Sequence, residues 1–362
     1  MTNRHERVLL VGDVMIRGRV PEEYWQMPYP FSEVARHLSE RGVVVANLEM
    51  PLSTRGVKMP KWSNLRSHPE VIGDIRRAGI DAVSLANNHM LDYGPDALFE
   101  TLATCDRAGI PRCGAGKDLD ESLEPVVLDV GRRQVAVLGV ATTLPVGSEA
   151  RSDRPGIAPI RVSQSFEVEP NLLAEQPGMV PIVRTQVNPE DQAIVCDRVR
   201  GLKRDGMVVV VMIHWGVPEH WLSPYTGLLA EYQQPLGRGL IDAGADVVCG
   251  HHSHTLHPIE LYQGKPIFYS LGNFLFERPR AFMEAASFIV EIDPSREPSI
   301  GLTPVLLDEQ GFPYLIGADD ARRVIERLDA LSQPLGTAVS FHEGHGRLRP
   351  SDADQEALRP RA

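Results

Sequence analysis

Five short, strongly apolar runs in this chain each stop abruptly at residues able to ligate a metal or move a proton, and that recurrence narrows the folds open to it. Val8–Val11 ends in Gly12-Asp13, Val43–Ala46 in Asn47-Leu48-Glu49, and Asp81–Ala86 in Asn87-Asn88-His89. Met207–Ile213 ends in His214, and Asp246–Cys249 in Gly250-His251-His252-Ser253-His254. Short β-branched and aliphatic runs of this kind read as buried strands. Gln134–Val140 reads as another, and Pro266–Tyr269 leads into Ser270-Leu271-Gly272-Asn273. Between them lie stretches with helical spacing: Phe31–Glu40, His68–Ala78, Pro95–Ala108, Gln192–Arg204 and Leu228–Ala243. This alternation predicts an α/β fold whose strand ends converge on one rim, the usual place for chemistry.

Composition removes several alternatives. A length of 362 residues allows one large α/β domain or two modest ones, and no internal repeat or second independent domain is evident. A net charge of −11 with no local basic patch argues against nucleic acid as a partner. Cys105, Cys113, Cys196 and Cys249 lack CxxC spacing and are expected as thiols in a reducing compartment, not as metal ligands. No signal-like segment or long apolar run occurs, so no membrane insertion is expected and the chain reads as cytoplasmic. Pro145–Asp191, rich in Pro, Ser and charge, is the expected insertion or lid, and the polar stretch from about Gly344 is the expected flexible tail, leaving 1–343 as the folded unit. Nothing in the sequence specifies an oligomeric state.

Asp13, Glu49, Asn88, His89, His214, His252 and His254 all fall within a few residues of a strand's carboxyl end. Carboxylate oxygen and imidazole nitrogen suit zinc, manganese or iron, and an amide oxygen can complete the shell. Two ions would need a bridging carboxylate and several neutral ligands, and would supply a hydroxide at neutral pH and a clamp on an anionic oxygen. Singly, each residue has a plainer explanation. Asp13 fits a turn or a helix cap, Asn87-Asn88 a turn, and His214 a satisfied core histidine. Three histidines within four residues after a buried strand are harder to explain away, because desolvating them is costly unless they are ligated or hydrogen-bonded. His252 and His254 share side-chain parity if that loop is extended.

These motifs occur in a recognisable order: Gly12-Asp13-Val14-Met15, Ala46-Asn47-Leu48-Glu49, Leu85-Ala86-Asn87-Asn88-His89 with Asp92-Tyr93-Gly94, Ile213-His214-Trp215-Gly216, Gly244-Ala245-Asp246 with Gly250–His254, and Tyr269-Ser270-Leu271-Gly272-Asn273-Phe274. Over roughly residues 7–278, apart from Pro145–Asp191, the chain resembles the CapA-type proteins of capsule and poly-gamma-glutamate synthesis, a branch of the calcineurin-like metallophosphoesterases. The resemblance implies a four-layer αββα sandwich with two mixed sheets face to face. It implies one or two divalent ions (Mn, Zn or Fe), with Asp13 as a shared carboxylate and Glu49 where the superfamily has its second bridging Asp. Asn88, His214 and His252 would serve one ion and His254 the other, while His89 would protonate a leaving group or stabilise charge.

Two departures qualify this picture. The superfamily opens its first motif with Asp-x-His, but here the third position is Met15, a poor ligand for such metals. Capsule-making relatives usually carry a membrane anchor before the first strand, and none is seen here, which suits a free enzyme. The expected activity is metal-dependent hydrolysis of an amide or isopeptide in a glutamyl-type, carboxylate-rich substrate, with Asp13 and His89 as catalytic residues. The partner would be an anionic small molecule or a polyglutamate-like chain. Alternatives are an amide-forming or phosphoester-processing enzyme, or a non-catalytic metal-containing subunit that binds polyglutamate or a ligase. Lys58, Lys61, Trp62 and Arg66 are expected at the substrate, or else as a solvated basic loop with one anchoring Trp, and Trp215 as a site wall. Asn47, Asn87, Asp92, His251, Tyr269 and Asn273 are expected around the ligands, with Tyr269 and Asn273 steadying the His252–His254 loop.

Overall fold

The computed structural model describes residues 6–351, apart from 177, 217–227, 278–282 and 296–298. The run Val8–Met15 forms a strand buried along its whole length, as a continuous apolar stretch requires when both faces of a sheet are covered. Parallel strands Val43–Leu48, Ala82–Ser84 and Arg112–Cys113 follow in order on one side of it. On its other side Ala286–Asp293 pairs antiparallel with its first half and Asn273–Phe276 parallel with its second. Ser299–Leu307 and the hairpin Thr337–His342/His345–Pro350 complete this sheet, with Pro313–Leu315 on the side of Ser299–Leu307. The second sheet runs Ile259–Tyr262, Lys265–Phe268, Val247–His251, Val208–His214, Arg133–Ala141, Val126–Val130. Its edge strand Val126–Val130 alternates buried and exposed, so only one of its faces is covered.

The two sheets meet through Val8, Leu10 and Val45 from one and Val135, Val137, Val210 and Met212 from the other. Alternate residues of the same strands point outward. Leu9, Val11 and Val44 pack under helices Pro30–Arg41 and Gly94–Ala108, whereas Leu138, Val209 and Val211 pack under Pro189–Arg204 and Gln233–Asp242. Phe31, Val34, Ala35 and Leu38 show how such a helix is specified: spacings of three and four residues place all of them on its buried stripe. The result is the expected four-layer αββα sandwich.

Two expectations change. The segment from Gly344 is not a flexible tail up to Ser351: His345–Pro350 is a strand, paired with Thr337–His342 and, through Gly301–Arg347 and Leu302–Gly346, with the large sheet. Its two-residue turn, Glu343-Gly344, has positive φ at both positions (49° and 86°), the geometry that matches strand twist, and the buried Val339 opposite Leu348 was masked in sequence by surrounding Arg and His. Residues 352–362 of that expected tail lie outside the described residues. The stretch 145–191 divides in two. Ala150, Ile157, Ala158 and Ile160 are buried against the sandwich, and Val162–Glu167, Pro170–Glu175 and Ile182–Val187 form a separate, largely exposed arm. The following helix starts at Pro189, three residues before the expected Gln192, because the Asn188 side chain accepts from the Glu190 and Asp191 N–H groups and caps it.

Candidate metal centre

The first carboxylate is placed by a break in strand register. The pairing of Val8–Met15 with Val43–Leu48 shifts between Leu10 and Asp13, and its pairing with Asn273–Phe276 shifts between Asp13 and Val14. A bulge of this sort re-aims one side chain. Asp13 is turned inward with no exposed surface. It accepts from Asn47 Nδ2 at 2.8 Å and from the His252 N–H at 3.2 Å, and His251 Nδ1 lies 3.2 Å from it. Burial would raise its carboxyl, but His251 beside it, with His214 and His254, carries it below the ordinary carboxylate range. Met15, at the position where the resemblance implied a histidine, packs in the apolar cluster beneath the helices.

Glu49 is the contrast. It is equally buried, yet neither carboxyl oxygen has a hydrogen-bond partner. Burial and then the nearby Asp13 and Asp92 push it well above the usual range. Such an orphan is costly in a stable fold and marks a group kept for another purpose. Its Oε1 lies 3.7 Å from His214 Nε2, 3.8 Å from His254 Nε2 and 3.9 Å from His89 Nε2. It thereby belongs to two donor triads, Glu49–His214–His252 and Asp13–Glu49–His254, each with its ligand atoms within 4.8 Å of one another.

The histidines arrive from neighbouring strand ends in register, His214 opposite His251. His214 Nε2 lies 2.9 Å from Asn88 Oδ1 and 3.0 Å from His252 Nδ1. His252 and His254 have φ of 101° and 57°, a left-handed geometry uncommon for non-glycine residues. The condition for shared parity, an extended loop, is not met: the backbone turns through left-handed geometry at both residues. Burial, followed by neighbouring histidines, holds His214 well below its ordinary value and His252 at about 3, so both rings are neutral with lone pairs available. The unpartnered Glu49, the neutral imidazoles and the mixed oxygen and nitrogen donors suit a divalent ion, or a pair sharing Glu49.

His89 sits beside these donors. Its Nδ1 lies 2.7 Å from Asp92, leaving Nε2 facing Glu49. Burial lowers it from its ordinary value and Asp92 partly offsets this. Asn87 ties the loop after Ala82–Ser84 to the neighbouring strand Val43–Leu48, donating to Asn47 Oδ1 and Leu48 O and accepting from the His89 N–H. Asn273 Oδ1 lies 2.9 Å from His254 Nδ1. Tyr269 does not steady that loop through its side chain: its hydroxyl donates to Glu260 on the far side, and its ring stacks on Trp215. Trp215, expected as a site wall, has no exposed surface and donates Nε1–H to Tyr269 O, so it is a packing residue behind the site.

The loop after Glu49 is pinned beside His89 by Val57 N–H to Tyr93 O and Met59 N–H to Asp92 O. Lys61 turns inward, pairing with Asp92 and donating to Asn88 O at 2.6 Å, whereas Lys58 and Trp62 are exposed and Arg66 lies over the Tyr93 ring. Nothing local to Lys61 signals that it faces inward, because its partner lies 31 residues on. Thr142 and Thr143, which donate backbone N–H to His214 O, carried no signal either. Replacing Lys61 by Met removes the cation from the buried Asp92 carboxylate, which keeps the Leu65 N–H and His89 as partners. Urea unfolding is expected to show a loss of about 2–3 kcal/mol, against almost none for Lys58→Met.

Comparison with known sequences places the chain in a family. A match to the family described as bacterial capsule synthesis protein PGA_cap covers residues 7–278, and therefore every donor named above. The chain belongs to this family. Its members are metallophosphoesterase-like CapA proteins. The chain is 28% identical to the capsule biosynthesis protein CapA of Bacillus anthracis over 76% of its own length and 61% of that protein. It is 30% identical to a probable polyglutamine synthesis accessory protein of Mycobacterium tuberculosis over 71% of its length and 62% of the relative. An uncharacterized protein of Sinorhizobium fredii is 26% identical over 94% of this chain and 92% of its own. Among the described residues no helix is long and apolar enough to cross a membrane.

Proposed function

We propose that this CapA-family protein is a metal-dependent hydrolase that cleaves an amide or isopeptide bond in a glutamyl-type, carboxylate-rich substrate. The observation that carries the reading is the buried, unpartnered Glu49 shared by two donor triads. Asp13, Glu49, Asn88, His214, His252 and His254 would hold one or two divalent ions, which supply Lewis acidity toward a carbonyl or anionic oxygen. The remaining chemistry belongs to the chain. Asp92 fixes His89 through Nδ1, so Nε2 is the atom at which a proton is taken up and passed to a departing amine. The exposed cations Lys58 and Arg66, on the loop tied to residues 92 and 93, would meet substrate carboxylates. The polyglutamine synthesis and PGA biosynthesis named in the descriptions of two relatives favour a glutamyl-type substrate.

The test is metal analysis followed by amine release from gamma-glutamyl peptides. Wild type is expected to turn over with Mn, Zn or Fe, and Asp13→Ala and His252→Ala to lose at least about 100-fold. Full activity in both variants would sink the metal mechanism. The word "accessory" in one relative's description supports a second reading, a non-catalytic metal-containing subunit that binds polyglutamate. Bound metal with no turnover on any amide or phosphoester would select it.

A further inference from the structure

The arm that leaves the sandwich at Val162 and returns at Val187 is a two-stranded antiparallel sheet, Val162–Glu167 with Ile182–Val187, and it pairs with no other strand among the described residues. An isolated pair of strands is marginal in water. This one also leaves large apolar side chains in solvent: Phe166 (65% exposed), Leu172, Leu173, Val180 (81%), Ile182 and Val183. Phe166 and Val183 lie opposite each other on one face of the ladder, and exposed apolar side chains grouped in this way mark interaction surfaces.

The two outer edges differ. On Ile182–Val187 the Thr185 N–H points outward and is already taken by the Glu231 carboxylate at 2.9 Å, with Arg184 bound to the same group. Thr185 lies opposite Gln164. Because ladder bonds alternate in an antiparallel pair, the backbone groups of Val162, Gln164 and Phe166 then also point outward, on the other edge. That edge carries no Lys and no Pro, the residues that usually guard an open strand.

We propose that Val162–Glu167 is a dimerisation strand, which pairs antiparallel with the same strand of a second copy of this chain across a twofold axis at Gln164. A twofold axis perpendicular to the sheet makes identical strands antiparallel. With Gln164 opposite its own copy, the outward-facing backbone groups meet each other. Val162 then falls opposite Phe166, Ser163 opposite Ser165, and Arg161 opposite Glu167. The strand is thus self-complementary in hydrogen bonding, apolar contact and charge. Arg161 and Glu167 are bound within their own chain to Asp191 and Arg184, but their side chains remain 46% and 58% exposed, free to extend those pairs across the axis.

Sedimentation of the full chain at micromolar concentration is expected to show a dimer. Gln164→Pro removes the outward donor at a position where an edge strand tolerates proline, and is expected to weaken association at least about tenfold with unchanged circular dichroism. Gln164→Cys is the independent readout. Opposed residues of a hydrogen-bonded pair stand about 5.5 Å apart at Cα, within disulfide range. All four native cysteines are buried, so a disulfide-linked dimer under mild oxidation reports on this position alone. A wild type that stays monomeric, a dimer untouched by Gln164→Pro, or a Gln164→Cys chain that forms no linked dimer would each overturn the proposal.

Discussion

Glu49→Gln is expected to abolish metal binding while leaving the metal-free protein at least as stable as wild type. The glutamine keeps the shape of the side chain but cannot bridge the two donor triads of which Glu49 is the common member. Losing a shared ligand should cost more than the roughly 10–100-fold typical of an outer partner. At an ion concentration one hundred times its dissociation constant, wild type should gain about 2.7 kcal/mol of stability, and the variant none. The pH dependence follows from the raised Glu49 carboxyl, whose main cause is burial, followed by the nearby Asp13 and Asp92. Binding must release its proton, so wild-type metal affinity rises with pH, by up to about tenfold per unit, until the carboxyl is ionised. Metal-free wild type shows the opposite trend. Above 4.5 the unfolded chain releases this proton and the folded chain does not, so stability falls as pH rises. The glutamine variant lacks that loss. Calorimetric titration with and without Mn or Zn, together with thermal melts across pH, measures both trends. Equal metal content in the two proteins would remove Glu49 from the centre.

Gly12→Ala is expected to be strongly destabilising, although it adds a single methyl group. A Cβ there would stand 2.1 Å from Gly272 O and 3.2 Å from Phe274 N, where Val8–Met15 meets Asn273–Phe276. Both obstacles are backbone, so neither can rotate away. The cost is about 3 kcal/mol or more, because relief requires separating two paired strands. The same contact holds Asp13, whose N–H donates to Gly272 O at 3.0 Å, so the damage reaches the first carboxylate directly. Gly18→Ala is the control: nothing lies within 4 Å of its Cβ, and its effect should stay within about 0.5 kcal/mol. Chemical denaturation of the two variants compares them, and near-equal midpoints would mean the strands at Gly12 can part without cost.

The α/β alternation and the gathering of polar strand-end residues on one rim were legible in the sequence, and the family resemblance added the four layers. Short apolar runs that stop at polar residues read as buried strands, and in such a sheet their carboxyl ends share one rim. Asp13, Glu49, Asn88, His214, His252 and His254 were legible for that reason. The elements left unread, such as His345–Pro350, carry one-sided apolar patterns interrupted by Arg and His, and their identity as strands depends on distant partners. What each site residue does was decided only by tertiary structure. Lys61 looked like a substrate cation and is instead the partner of Asp92, and Trp215 looked like a wall and lies wholly inside. Asp13 and Glu49 are both carboxylates at strand ends, yet one accepts hydrogen bonds and the other accepts none. Strand ends are written locally in a sequence, whereas the environment of a buried charge is assembled from residues far apart along the chain. Only the packed structure states it.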